Sequence, residues 1–369
     1  MRKVLVTGAE GFIGKNLRAH LQEIEDLEIF IYDIDNTEEQ LIKYAKEADF
    51  IFHLAGVNRP KTTSEFDQGN HGLTAKLLAI LKENKKRTPF LITSSTQALE
   101  DNPYGISKRK AEEEVFAYGK EAGASVYIYR LPNVFGKWSR PNYNSVVATF
   151  CYNIVRDLPI TIHDPHTQLT LAYIDDVCRE FISVLEGKVQ KNGICQIPVT
   201  YQITLQELAD TLYDLSANRH SLVMPSLKDP LMRALYATYL SFLPDSGFGY
   251  ELDQKRDERG WLAEFIKSED FGQIFISKTK PGITRGNHWH HTKVEKFLVI
   301  QGEAIVSFRK VNGEKRIEYK VCGEEPKVLD IPAGYTHAIT NIGDTDLITL
   351  FWASEIFDLN LPDTYYLEV

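Results

Sequence analysis

The chain has 369 residues, 43% hydrophobic and 25% charged, with a net charge of −9, a length that predicts two or three domains of about 100–200 residues. The acidic balance argues against a nucleic-acid partner, which needs clustered Lys and Arg, and the lack of about 18 consecutive apolar residues argues against a membrane span. Four scattered cysteines (Cys151, Cys178, Cys195, Cys322) form no CxxC pair, so a disulfide framework is not expected and a reducing, cytoplasmic location is.

Strand and helix signals alternate in the first half. Apolar runs at Lys3–Thr7, Glu28–Tyr32, Phe50–Leu54, Phe90–Thr93 and Ser125–Tyr129 read as strands buried on both faces. Between them, Phe12–Ile24, Glu38–Ala48, Leu73–Glu83 and Lys108–Tyr118 repeat at about 3.6 residues and read as helices. Thr37 and Gln40 form a capping-box pair ahead of the second helix. This order predicts an α/β domain with a parallel sheet. From Val146 to Leu243 the pattern is more helical, at Val146–Arg156, Asp175–Leu185, Leu205–Leu215 and Pro230–Leu243. Pro244-Asp245-Ser246-Gly247 breaks it, which places the domain division at 1–243 and 244–369. Beyond Gly260 the period becomes two, predicting an all-β barrel or sandwich with strands at Gln273–Lys278, Lys296–Ile300, Ala304–Phe308, Ile317–Val321, Lys327–Ile331, Ala338–Asn341 and Leu347–Trp352.

Two clusters carry chemistry. Gly8-Ala9-Glu10-Gly11-Phe12-Ile13-Gly14 links the first strand to the first helix. Such a turn lets a pyrophosphate approach the backbone and the helix N-terminus. Tyr104 and Lys108 stand four apart and share a helix face. An ammonium beside a phenol is expected to lower a pKa that starts near about 10. The second cluster reads Gly282, five residues, His288, Trp289, His290, four residues, Glu295, six residues, Gly302, followed by Pro332-Ala333-Gly334-Tyr335-Thr336-His337. In a strand His288 and His290 share a face. Imidazoles with one carboxylate suit Zn²⁺ or another divalent transition metal. His290, Glu295 and His337 rank ahead of His288, since catalysis needs an open coordination position, and His291 should face away.

The first 243 residues resemble the extended short-chain dehydrogenases/reductases that act on nucleotide sugars, a Rossmann-type fold. Thr7–Gly14 matches TGxxGFIG, His53-Leu54-Ala55-Gly56 resembles HxAA, Tyr104–Lys108 matches YxxxK, and Arg130–Gly136 resembles RxxNxxG. Tyr173–Val177 resembles a later hVDDv element. The resemblance implies a catalytic Ser95, with Ser94 as the alternative, beside Tyr104 and Lys108. It implies nucleotide contacts at Gly8, Gly11, Phe12, Ile13, Gly14, Asp33, Leu54, Ala55, Tyr104 and Lys108, and substrate contacts at Asn133 and Arg140. Asp257–Leu262 resembles the lead-in of sugar-nucleotide cupins, which implies a substrate contact at Arg259, with an exposed arginine in a charged run as the alternative. NADPH is the expected cofactor, with NAD as the alternative that an acid at Asp33 would favour. Residues 244–369 resemble a cupin, a jelly-roll barrel, with Pro326 standing where a glycine is usual.

The fusion is similar to bacterial bifunctional capsular-polysaccharide enzymes. That resemblance implies a UDP-2-acetamido-2,6-dideoxy-hexos-4-ulose substrate, epimerised at C3 by the cupin and reduced at C4 by the reductase, on the route to UDP-N-acetyl-L-fucosamine, in a homodimer. Two other readings stand beside it: a nucleotide-sugar epimerase or dehydratase with a regulatory or dimerising cupin, and a non-catalytic dinucleotide sensor. Gln97 and Ala98 after Ser95-Thr96 count against a dehydratase, and the presence of both Tyr104 and Lys108 counts against a sensor.

Overall fold

The computed structural model describes residues 1–60, 62, 64–189, 192–252, 254–257, 260–263, 266, 272–355 and 360–369. They form two compact units, Met1–Ser145 with Leu169–Gln202, and Val146–Gln168 with Ile203–Val369.

The first unit opens with β1 (Arg2–Thr7), α1 (Phe12–Leu21), β2 (Leu27–Tyr32), α2 (Glu38–Glu47) and β3 (Phe50–His53). After a short helix α3 (Ser64–Phe66) and a π-helical turn at Asp67–Gly72 come α4 (Leu73–Glu83), β4 (Phe90–Ser95), α5 (Pro103–Ala122) and β5 (Val126–Leu131). The sheet runs β2-β1-β3-β4-β5 and ends on the strand Gly193–Cys195. All its pairings are parallel. Parallel strands covered on both faces must be apolar throughout, and Val4, Leu5, Val6, Ile51, Phe52, Phe90 and Leu91 are almost wholly buried. Each such side chain contributes about 1.5–3 kcal/mol on burial. The strand order reverses between β1 and β3, so the loops following them open a crevice.

Caps set the helix boundaries. The expected capping box of α2 is present: Thr37 accepts the Gln40 amide and Gln40 accepts the Thr37 amide. α5 begins before the apolar periodicity does, because Asn102 accepts the Gly105 amide and Pro103 fits the first helical turn. Tyr104 therefore lies in that first turn. Gly123, at φ 63°, closes the helix.

The second unit joins helices Val146–Ile154, Leu205–Ser221 and Pro230–Ser241 to two five-stranded sheets. The helices ahead of residue 243 thus group with strands beyond it. Buried charge accounts for part of this. Arg219 lies 3.4 Å from Asp330 and stacks on Tyr250, while Lys296 donates to Asp330 at 2.5 Å and to the Tyr250 hydroxyl at 3.1 Å. Removing one member would strand a buried charge, which costs about 3–5 kcal/mol.

One sheet runs through Gly249–Glu251, Lys327–Ile331, Glu295–Gln301, Leu347–Ala353 and Gln273–Thr279; the other through Arg316–Cys322, Glu303–Lys310, Tyr335–Asn341, Thr284–Trp289 and Tyr365–Tyr366. Their pairings are antiparallel. Phe297, Val299, Val306, Phe308, Ile339 and Phe351 are buried in this unit. Each strand expected from Gln273 onward is present within three residues of its predicted limits. The register of Thr284–Trp289 slips between Gly286 and His288, where Asn287 takes φ 55°; this bulge sets His288 opposite His337.

At Gly14 a Cβ would meet the Gly8 carbonyl oxygen at 2.2 Å and the Ala9 backbone at 2.7 Å. Gly14→Ala must push α1 off β1. The expected outcome is a loss of about 1–3 kcal/mol in denaturant unfolding, with weakened dinucleotide binding; unchanged values for both would contradict the packing.

Candidate active site and metal centre

The glycine turn sits at the carboxyl end of β1. Gly8 takes φ +66°, and a Cβ there would meet the Ala55 nitrogen at 2.6 Å. Gly8 thereby lets this turn abut the Leu54-Ala55 segment, where the Leu54 amide donates to the Thr7 carbonyl. Gly11 is the N-cap of α1; it supplies no side-chain cap, and no acid occupies the first turn. The amides around Phe12, Ile13 and Gly14 are therefore suited to an anion. Asp33 follows β2 at the edge of the sheet. Its carboxylate accepts the Glu10 amide at 2.7 Å and the Ile34 amide at 2.8 Å, so both of its oxygens already have backbone donors. His53 is not a proton carrier. It is buried between the hydroxyls of Thr7 and Thr74, and burial pulls its pKa down to about 3.

Ser94 and Ser95 are adjacent on β4, so they face opposite sides. Ser94 donates to Glu112 at 2.5 Å, and Glu112 is clasped by Arg130 through contacts of 2.6–3.2 Å. Ser95 Oγ instead accepts the Gln97 amide at 3.2 Å and lies near enough to the Tyr104 phenol to act on its pKa. Lys108 is buried, donates to the Thr93 carbonyl at 3.2 Å, and holds its Nζ 5.9 Å from the centre of the Tyr104 ring. A Cβ on Gly56 would come within 3.0 Å of that Nζ.

The expected lowering of the Tyr104 pKa does not occur. Burial raises it above 10.0, outweighing the lowering by Ser95, and Tyr143 adds to the rise. Lys108 is itself pulled down to about 8 by burial, against the opposing pull of Glu112. The pair thus presents a firmly protonated phenol beside a lysine that titrates near neutrality.

Several residues here were not singled out by sequence. Asn70, buried in the π-helical turn, accepts the Val57 amide at 2.8 Å and donates to the Val57 carbonyl and Ser107 hydroxyl at 3.0 Å. It fixes the segment after Ala55; only the helical irregularity marks it. Arg140 and Arg59 both lie against the Tyr143 ring, at 5.2 and 5.7 Å, and Arg59 also donates to Asn144. Nothing in the pattern marked Arg59 or Tyr143. Asn133 is exposed on a strand paired to Leu171–Tyr173. Arg259 lies outside the described residues.

In the second unit, ligand atoms of His288, His290, Glu295 and His337 lie within 4.8 Å of one another. Glu295 Oε2 is 3.2 Å from Nε2 of both His290 and His337. Tetrahedral bonds of about 2.0–2.1 Å would set ligand atoms about 3.3–3.4 Å apart. Among the described residues neither Nε2 makes a hydrogen bond, although both are buried. Two orphaned imidazole nitrogens beside a carboxylate fit a divalent ion. Burial opposes ionisation of Glu295, but His290 and His337 together hold its pKa well below the usual carboxylate range. Burial brings His288 down to about 4 and lowers His337. These groups carry the protonation states that ligands need. His288, ranked last from sequence, joins the cluster because of the bulge at Asn287. His291 packs instead on Trp289 and Tyr365, with ring centroids at 4.4 and 5.0 Å.

The match to known proteins extends over the whole chain. Residues 4–197 match the NAD dependent epimerase/dehydratase family and residues 255–365 the polysaccharide biosynthesis C-terminal domain. A Pseudomonas aeruginosa protein, UDP-2-acetamido-2,6-beta-L-arabino-hexul-4-ose reductase, is 48% identical over 98% of both chains. The crystal structure of capsular polysaccharide assembling protein CapF from Staphylococcus aureus is 48% identical, covers 99% of this chain and 100% of its own, and superposes with a TM-score of 0.69. A Bacillus cereus UDP-glucuronic acid 4-epimerase with NAD shares the fold of 65% of the chain at 21% identity and a TM-score of 0.56, covering 98% of its own length. By the family model matched over more than half its length, and by a relative aligned almost end to end, this chain belongs to the NAD dependent epimerase/dehydratase family.

Proposed function

We propose that the chain is a bifunctional nucleotide-sugar enzyme. Residues 1–243 reduce the C4 ketone of a UDP-2-acetamido-2,6-dideoxy-hexos-4-ulose with NADPH, and residues 244–369 epimerise C3 of the same substrate with a divalent metal. The product is a UDP-N-acetyl-6-deoxy-talosamine on the route to UDP-N-acetyl-L-fucosamine for capsule. The observation that carries this reading is the grouping of Ser95, Tyr104 and Lys108, in a chain aligned along 98% of its length to a ketosugar-nucleotide reductase.

Reduced nicotinamide, when bound, supplies the hydride for the ketone carbon. Tyr104 supplies the proton for its oxygen, and the raised phenol pKa keeps that proton available at neutral pH. Ser95 stands beside the phenol and polarises the same carbonyl. Ser94 is given no chemical role, because it is committed to Glu112. Lys108 steadies the cofactor ribose and adds positive charge beneath the phenol. The preference for NADPH over NAD follows from the resemblance to short-form ketosugar-nucleotide reductases. Arg140, with Arg59 against the same Tyr143 ring, supplies positive charge for the substrate diphosphate. No acid follows Ser95 at positions 96–98, so the dehydratase alternative lacks its proton carriers.

A divalent ion, held by His290, Glu295 and His337 with His288 beside it, would keep an open position and would supply Lewis-acid stabilisation of the charge left when C3 loses its proton. Zn²⁺ suits this donor set. A homodimer is part of the reading and is supported by Ile106 and Phe116, 38% and 41% exposed on α5. A cytoplasmic location is also part of it; the four cysteines are free, and no described helix is long and apolar enough to cross a membrane.

Mixing the chain with NADPH and the UDP-4-ketosugar should consume absorbance at about 340 nm, and Tyr104→Phe should slow this by about 10²–10⁴-fold. Retention of the full rate in that variant would remove Tyr104 from the mechanism.

Lys108 is cationic below about pH 8 and neutral above it. Reductase kcat/KM should therefore fall as pH rises through about 8, while Tyr104 stays protonated. A profile flat through that range would contradict the role given to the lysine.

His290→Ala should abolish bound metal by elemental analysis and stop solvent deuterium entering C3. Deuterium uptake at the wild-type rate would refute the metal-assisted epimerisation.

A further inference from the structure

Three oxygens of Asp363 face the segment that carries His290. Oδ1 accepts the His291 amide at 2.9 Å. Oδ2 accepts the amides of Thr292 and Lys293 at 3.0 and 2.7 Å, and the Thr292 hydroxyl at 3.0 Å. The main-chain carbonyl oxygen lies 2.6 Å from His290 Nδ1. A carbonyl oxygen carries no proton, so the imidazole nitrogen must donate. A neutral imidazole has one N–H, which leaves Nε2 as a bare lone pair. Nε2 is the nitrogen that stands 3.2 Å from Glu295 and has no hydrogen bond among the described residues.

The surrounding chain holds Asp363 in place. Lys293 Nζ donates to the Pro362 carbonyl and the Thr364 hydroxyl, both at 2.8 Å. Tyr365 and Tyr366 pair in antiparallel register with Trp289 and His288, and the Leu367 amide donates to the Asn287 carbonyl at 2.9 Å. The segment 362–367 therefore braces the stretch bearing two of the four imidazole and carboxylate groups. Asp363 itself takes φ 37°, a conformation that Asp tolerates better than most residues.

We propose that Asp363 is the positioning residue of the metal centre. Its carbonyl selects the His290 tautomer that presents Nε2 to the ion, and its carboxylate fixes the 291–293 backbone so that the ring cannot swing away. The inference rests on reading the His/Glu cluster as a metal site.

Zn²⁺ affinity of the full chain, measured by chelator competition, tests it together with long-range ¹H–¹⁵N spectra of the histidine rings. Asp363→Ala should weaken Zn²⁺ by about 10–100-fold. Asp363→Asn keeps one acceptor oxygen and should fall between it and the wild type. In the metal-free wild type, His290 should be the Nδ1–H tautomer. Wild-type affinity in Asp363→Ala overturns the proposal. Should that variant fail to fold, the unaltered chain decides: an Nε2–H tautomer at His290 overturns it, and an Nδ1–H tautomer upholds it. If the wild type binds neither Zn²⁺ nor Co²⁺, the metal reading itself fails and the proposal falls with it; loss confined to the variants upholds both.

Discussion

Burying an ionised carboxylate between two imidazoles is the constraint around which the β-rich unit is arranged. Glu295 is 7% exposed, and water cannot compensate its charge. His290 and His337 come from other strands or their ends and converge on one of its oxygens. Imidazole nitrogens set around a buried carboxylate are costly by themselves, since among the described residues the Nε2 atoms go unbonded. The arrangement becomes favourable with a cation between them. The polar accounting that makes the cluster costly to an ordinary core is what makes it suited to a metal.

The same accounting separates scaffold from chemistry in the first unit. The Ser94 hydroxyl, Glu112 and Arg130 satisfy one another and pin β4 to α5 and β5. His53 is likewise closed off between two threonines. Ser95 is held only by the Gln97 amide and acts on the Tyr104 phenol, while Lys108 has one main-chain acceptor for three protons among the described residues. A depressed lysine and an elevated tyrosine follow from one leading cause, burial. Enzymes commonly use such shifts to keep an acid charged with its proton at neutral pH.

Much of this was legible in the chain itself because it depends on local spacing. The glycines at 8, 11 and 14, the i, i+4 pair at 104 and 108, and the cluster at 288, 290 and 295 each fix a geometry within a few residues. The serine was not, since two adjacent serines on a strand differ only in phase, and phase is set by Glu112 and Arg130 on other elements. The direction of the Tyr104 shift was missed for a related reason: proximity to Lys108 is visible in the spacing, whereas burial is a property of the assembled unit. His288 reaches the cluster through the bulge at Asn287, which has no plain signature in the sequence. Asp363 lies 73 residues from His290 and meets it through a main-chain oxygen, which no residue-type pattern encodes.

On the proposed reading, two chemistries in one chain are linked by a single carbonyl. A proton on C3 is acidic only while C4 is a ketone, because the resulting charge spreads onto that oxygen. Hydride addition at C4 ends that acidity and fixes the configuration at C3. Epimerisation must therefore precede reduction, and reduction draws an unfavourable epimer equilibrium forward by removing its product. The order of events follows from the substrate's electronics, and it requires only that the two sites act on the same ketone.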